Sequence, residues 1–199
     1  RDKLVTGVQT CALPICNTFG TKRMCVDTGY YAVYNEPNIT LVDAKTHPIT
    51  EITPTGVRTT EQEYDVDAIV FAIGFDAMTG PIFGVDIRGR EGEVLKETWA
   101  DGPRTYLGLM SHGFPNMFMI TGPQSPSVLS NMMVSIEQHV ELVSDTIEAM
   151  EQRGARTLEP TQQAQDDWVD HCRELGEATL HPHDDTWYMG ANIPGKPRV

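Results

Sequence analysis

The chain has 199 residues, 28 acidic and 15 basic, and so a net charge of -13. Such a surface is repelled by nucleic acid and by anionic membranes, which excludes both as expected partners. Hydrophobic residues make up 40% and charged residues 22%, the balance of a globular domain, and no apolar run reaches the length of a membrane span.

The first residue is Arg1 rather than Met, so an incomplete chain is expected; with no signal peptide recognised, a cytoplasmic protein is expected. The stretch LVTGVQTCALPI at 4–15 is too weakly apolar for a signal-peptide core and lacks a clear small-residue cleavage site. Cys11, Cys16, Cys25 and Cys172 match no common zinc spacing and read as free thiols; no metal is expected.

Residues 38–73 read as strands and turns. NITLVDA and PITEITP are short and β-rich, TPTG at 53–56 is a turn signal, and VRTTEQEY follows. VDAIVFAIGFD at 66–76 is a nearly unbroken apolar run, which predicts a strand buried on both faces of a helix-covered parallel sheet. PNMFMITGP at 115–123 repeats the style.

A long helix is predicted from Pro126, with Ser125 as N-cap and proline at the first helical position. Met132, Ile136, Val140, Val143, Ile147 and Met150 recur at helical spacing as its buried face, and the helix ends near Gly154. The first turn of a helix presents unpaired N–H groups and a positive dipole end, which suits an anion or the electron-rich edge of a cofactor. An ordinary capped helix explains the same stretch. A second helix is predicted from Thr161 to about Ala178, with Trp168, Val169, Cys172 and Leu175 on one side.

Near the end, Gly190 to Lys196 reads G-x-x-x-x-G-K, the opening of a phosphate-binding loop. That loop needs a Ser or Thr next and a helix after it, whereas Pro197 follows and the chain stops two residues later. The dinucleotide fingerprint G-x-G-x-x-G is absent as well.

Four stretches in order resemble the C-terminal part of the flavin-dependent Baeyer–Villiger monooxygenases, over about residues 19–199. They are FGTKRMCVDTGYYAVYN, VDAIVFAIGFDAMTG, the run from WADGPRTYLGLM through MITGPQSPSVLSNMMVSIEQHV, and TWYMGANIPGKPRV. The resemblance implies an α/β fold, part of a Rossmann-like flavoprotein with two dinucleotide-binding domains, one for FAD and one for NADPH, here incomplete. It implies that NADPH reduces the flavin and that O2 then gives a flavin peroxide. The peroxide attacks a ketone and leaves an ester or lactone. By the same resemblance, residues 17–60 end the NADPH-binding domain and return the chain. Residues 61–180 belong to the FAD-binding domain, and 181–199 form a mobile loop over the nicotinamide cofactor. Residues 1–16 match no part of the family and read as non-native, like translated adapter sequence joined near Asn17.

Site residues follow from the same resemblance. Arg23 is the catalytic residue, its permanently charged fork of donors suited to a developing anionic oxygen. Lys22 suits the 2′-phosphate of NADPH. Gly74 and Asp76 close the tight turn beside the flavin dinucleotide, with Ile73 where the family usually has Thr. N–H groups around Asn131 and Met132 face the flavin N1/C2 edge. Ser127, Val128, Leu129 and Met132 line the ketone pocket, beside Gln124, which stands where a small glycine is common and would narrow or re-polarise it. Trp187 rests against the cofactor, and Lys196 and Arg198 are loop charges. Plain readings exist beside these: a solvated basic pair at 22–23, core packing for Met132, a disordered tail.

An N- or S-oxygenating flavin monooxygenase is the runner-up, and a non-catalytic truncated remnant the third reading. The missing fingerprints predict that this chain alone does not turn over, and that the strand at 66–73 presents exposed edges.

Overall fold

The structure is a computed structural model. It describes residues 18, 20–22, 28–72, 74, 76–125, 130–191, 193 and 195–198, together with the backbone of 4–8. The chain divides into two compact units, Arg1–Gly74 and Phe75–Val199.

In the first unit, β1 (Leu4–Val8) pairs in parallel with β2 (Ile39–Asp43), Leu4 opposite Ile39. β1 lies inside the stretch expected to be non-native, and its backbone nonetheless pairs with β2. The β-rich segments predicted next form an antiparallel sheet of β3 (Ile49–Thr53), β4 (Gly56–Thr59) and β5 (Glu63–Asp65) in that order. The expected turn joins β3 to β4. A Cβ on Gly56 would lie 1.9 Å from the Tyr64 carbonyl oxygen, so only glycine lets β5 come this close. Across the sheet the Arg58 guanidinium pairs with Glu63 at 2.8 Å and with Glu51. The nearby Thr53 side chain, foremost, and the Arg58 guanidinium hold the Glu63 carboxyl below its usual range.

The strand predicted at 66–76 is not formed. Its described residues 66–72 have no regular structure, and Val70 and Phe71 are 87% and 70% exposed. A strand buried on both faces needs neighbours for its peptide groups and its side chains. The described residues of this unit supply none.

The second unit is helical. Short helices α1 (Gly80–Phe83) and α2 (Leu95–Thr98) precede two long ones, α3 (Met132–Gln152) and α4 (Gln162–Glu177). Leu95, Trp99 and Phe114 form the core, with Ile82, Phe83, Ile87, Met117 and Met119 packed on it. Two side-chain clamps fasten α4 and its approach to this core. The buried Gln165 amide oxygen accepts from His112 N–H at 2.8 Å and from the Ser111 hydroxyl at 3.3 Å. Glu159 pairs with Arg90 and accepts from Gly113 N–H at 3.0 Å; these bonds hold its carboxyl below the usual range, Arg90 foremost.

Residues 115–123 also depart from the strand-like expectation. Asn116 (φ 60) and Thr121 (φ 51) are left-handed, which breaks a pleat. The segment makes separate backbone bonds to other loops instead, Asn116 N–H to the Leu158 carbonyl and Met119 N–H to the Leu109 carbonyl.

α3 runs from Met132, where the Asn131 side chain caps it by accepting from Met133 N–H at 3.1 Å; Pro126, where the helix was expected to begin, lies outside the described residues. Its buried face is centred on Ser135 and His139, flanked by half-buried Met132, Ile136, Val143 and Met150. Val140 and Ile147, expected on that face, are 48% and 45% exposed. With Met133 they form a second apolar stripe at seven-residue spacing, turned from the unit. α4 matches its expected bounds, with Thr161 capping Ala164 N–H at 3.2 Å. Trp168, Val169 and Cys172 are half-buried as expected, but Leu175 is exposed.

Candidate cofactor-binding site

The first unit carries two pieces of the expected site. At 18–21 a tight turn is made by Thr21, whose N–H and hydroxyl both donate to the Thr18 carbonyl, at 3.2 and 2.7 Å, with Gly20 left-handed at φ 86. The fully buried Thr21 anchors this turn, and half-buried Lys22 follows it. Arg23 lies outside the described residues. Gly74 has φ 79, a conformation that disfavours any Cβ, and an added Cβ would meet nothing within 4 Å. Its backbone is therefore open to close approach.

The second unit carries the rest. The Asp76 carboxylate meets the Lys196 ammonium, which also donates to the Ala77 carbonyl at 2.6 Å. Sequence reasoning gave Lys196 no more than a loop charge; nothing local signals a partner 120 residues away.

Asn131 is exposed at the start of α3 and Met132 is half-buried. The Asn131 side chain takes the Met133 N–H, and the Met132 and Val134 N–H groups belong to the same first turn, outside the helix ladder at its positive end. Ser127, Val128 and Leu129 lie outside the described residues.

Gln124 does not act as a free polar group. Its amide oxygen accepts from the N–H and the hydroxyl of Thr105, both at 3.0 Å, while its carbonyl accepts from Trp168 Nε1 at 3.2 Å. It is left-handed at φ 62, the conformation in which a glycine would be unstrained.

His139 is a structural contributor that sequence reasoning missed. It is 6% exposed, and its Nδ1 accepts from Thr121 N–H at 3.0 Å, tying the bend before Gln124 to α3. An acceptor Nδ1 requires the neutral ring, and burial pushes its pKa below the usual histidine value. An unfolded histidine titrates near 6.5, so below that pH the unfolded chain binds the proton first. The stability due to neutral His139 is therefore fully present above about pH 6.5 and is lost as pH falls through its folded pKa. His139→Asn, which can keep an acceptor without a basic ring, is expected to flatten the fall of the urea midpoint between pH 7.5 and 5. An unchanged acid profile would exclude His139 as its source.

The C-terminal loop is built around Thr186. Its fully buried hydroxyl accepts from Tyr188 N–H at 3.0 Å and caps a 3-10 turn, Trp187–Met189. Gly190 ends the turn in the left-handed conformation. Buried Tyr188 packs edge-on to Trp187 at 4.3 Å and anchors the turn, and Trp187 remains 40% exposed. An aromatic face is thus held on a fixed support and presented outward, with an indole N–H to donate. Taken unit by unit, the first offers a lysine charge and an open glycine, and the second a helix start and an exposed aromatic. Among the described residues no group of three or more His, Cys, Asp or Glu is placed to hold a metal ion, and no helix is long and apolar enough to cross a membrane.

No family model matches the chain. A Baeyer–Villiger monooxygenase of Pseudooceanicola batsensis is 48% identical over 176 residues, which are 88% of this chain and 32% of that protein. A phenazine N-monooxygenase of Lysobacter antibioticus is 40% identical over 176 residues, again 88% and 32%. The crystal structure of cyclohexanone monooxygenase from Rhodococcus sp. Phi1, bound to NADP+, superposes with a TM-score of 0.85 at 42% identity, covering 90% of this chain and 34% of that one. The chain spans about a third of the length of the curated relatives it matches.

Proposed function

This chain belongs to the flavin-dependent Baeyer–Villiger monooxygenases, and we propose on that premise that it forms part of a cytoplasmic enzyme that uses NADPH, FAD and O2. The enzyme inserts one oxygen atom into a ketone and releases an ester or lactone. The observation that carries this reading is the Trp187 turn, an exposed indole on a buried Thr186–Tyr188 anchor, in a chain that superposes closely on an NADP+-bound relative.

The bound cofactors supply the reducing electrons and the activated oxygen. The residues of this chain bind, orient and stabilise. Lys22 meets the 2′-phosphate as a point charge. Trp187 covers the nicotinamide cofactor and donates its indole N–H. Gly74 permits close backbone approach to the flavin dinucleotide. The free N–H groups at the start of α3, around Asn131 and Met132, stabilise the negative charge that the flavin edge gains on reduction. Ser127, Val128, Leu129 and Met132 enclose the ketone. Arg23 holds the negative charge that builds on the ketone oxygen during oxygen transfer.

A second reading, N-oxygenation, is favoured by the 40% identity to a phenazine N-monooxygenase. The two are separated on a polypeptide of the relatives' length that carries this chain with its native upstream sequence. Purified protein is expected to show flavin absorbance and ketone-stimulated NADPH oxidation, with ester or lactone as product. N-oxide formation without ester would overturn the ketone assignment, and absence of flavin and turnover would overturn the enzyme reading.

A further inference from the structure

We propose that Lys196 and Asp76 form a latch that holds the Trp187 loop in place, making both positioning residues for the nicotinamide cofactor. The role in cofactor binding rests on the function proposed above; the latch itself rests on the geometry that follows.

On the body side, the Asp76 side chain is 51% exposed and folds back against Gly80. A Cβ on Gly80 would sit 2.7 Å from the Asp76 Cβ and Cγ and 2.9 Å from Oδ2, so the glycine at the start of α1 is what lets the carboxyl fold back there. The carboxylate lies against Gly80 and pairs with Lys196. On the loop side, the Lys196 side chain is only 10% exposed, and two of its three ammonium donors are committed, to Asp76 and to the Ala77 carbonyl. An ammonium this covered is retained because an opposite charge meets it.

The connection to Trp187 is short. The Lys196 stem passes Gly190, whose Cβ position lies 3.6 Å from Lys196 Cε and 3.4 Å from the Pro197 carbonyl oxygen. Gly190 is the left-handed cap of the Trp187 turn, and its N–H donates to the Trp187 carbonyl at 3.0 Å. The order Asp76, Lys196, Gly190, Trp187 is therefore one continuous set of contacts. Arg198 closes the loop upon itself through Asp185 and the Pro182 carbonyl, both at 3.0 Å. Lys196 is the tie from this closed loop to the segment at 76–77. It gives a use to the G-K pair that cannot serve as a phosphate loop, and it occupies the Asp76 carboxylate with a protein cation.

The test uses the full-length polypeptide with Lys196→Met, Asp76→Asn, Lys196→Arg and the exchanged pair Asp76→Lys/Lys196→Asp. Chymotryptic cleavage after Trp187 or Tyr188 reports the latch without any cofactor. The single neutral variants are expected to be cut faster, and Lys196→Met is expected to keep its flavin absorbance. Their KM for NADPH is expected to rise about tenfold or more while kcat moves little, since displacement of a positioning group by about an ångström can cost up to a hundredfold. Lys196→Arg is expected to restore both readouts in large part. Unchanged cleavage in Lys196→Met and Asp76→Asn would overturn the latch. Faster cleavage with an unchanged KM would overturn the positioning role. If the unaltered protein shows no saturable NADPH oxidation, the functional reading fails and with it the positioning role, and cleavage still decides the latch.

Discussion

Arg23→Ala in the full-length polypeptide is expected to lower ester formation by on the order of a hundred- to a thousandfold, the usual cost of removing a group that stabilises a developing oxyanion. NADPH oxidation is expected to survive, because the role proposed for Arg23 concerns charge on the ketone oxygen and not the transfer of hydride. Reducing equivalents would then be consumed without ester. The prediction depends on the guanidinium being a fixed, permanently ionised fork, so Arg23→Lys should recover only part of the rate: a flexible ammonium carries the charge without the geometry. Product analysis by gas chromatography beside NADPH consumption measures both. Ester formation within a few-fold of the unaltered enzyme would remove Arg23 from the chemistry.

The largest expected effect on stability is at Trp99. It is 1% exposed, meets Phe83 at a ring separation of 6.2 Å, and donates from Nε1 to the Ser111 hydroxyl at 3.4 Å. Trp99→Ala removes the largest fully buried side chain among the described residues and leaves a void among Leu95, Phe114 and their neighbours. The expected cost is about 3–5 kcal/mol, from lost burial plus the cavity that remains. That is a large part of the stability of an ordinary domain. Ser111 also loses a donor while it bonds to Gln165, so the clamp on α4 is weakened from the same position. Trp99→Phe keeps most of the apolar volume and should cost far less. Urea unfolding of the two variants, followed by circular dichroism, measures the difference. A Trp99→Ala midpoint equal to that of Trp99→Phe would show that the ring does not fill the core as described.

Local chemistry was the readable part of this chain. Thr161 ends one segment and opens α4 because a cap needs only an N–H three residues away. The turn at 53–56 predicts its hairpin because backbone geometry there is set by four residues. The ordered motifs carried the family resemblance, and hence the fold class, because they are strings of residues and require no knowledge of their neighbours in space.

The start of α3 marks the limit of local reading. Ser125–Pro126 is the N-terminal signal read from the sequence, yet Asn131 has the same capping chemistry and the periodicity downstream suits either. The structure selects Asn131, and it also decides which of two apolar stripes on α3 is covered. Val140 and Ile147 carry the same hydrophobicity as Val143 and Met150, so composition cannot rank them. The run at 66–72 shows the same limit more strongly: its apolar character calls for strand neighbours, and strand formation depends on whether those neighbours are present. In a chain spanning about a third of its relatives' length, Val70 and Phe71 stand exposed.

By itself, then, the sequence determined the Thr161 cap, the turn at 53–56, the exclusion of a phosphate loop and the resemblance to the family, since each depends on residues close together in the chain. Tertiary structure alone decided the covered face of α3, the neutral His139 against Thr121, the commitment of Gln124 to Thr105, and the meeting of Asp76 with Lys196 across 120 residues. Burial and charge pairing are properties of what lies opposite a side chain, and chain order does not state what that is.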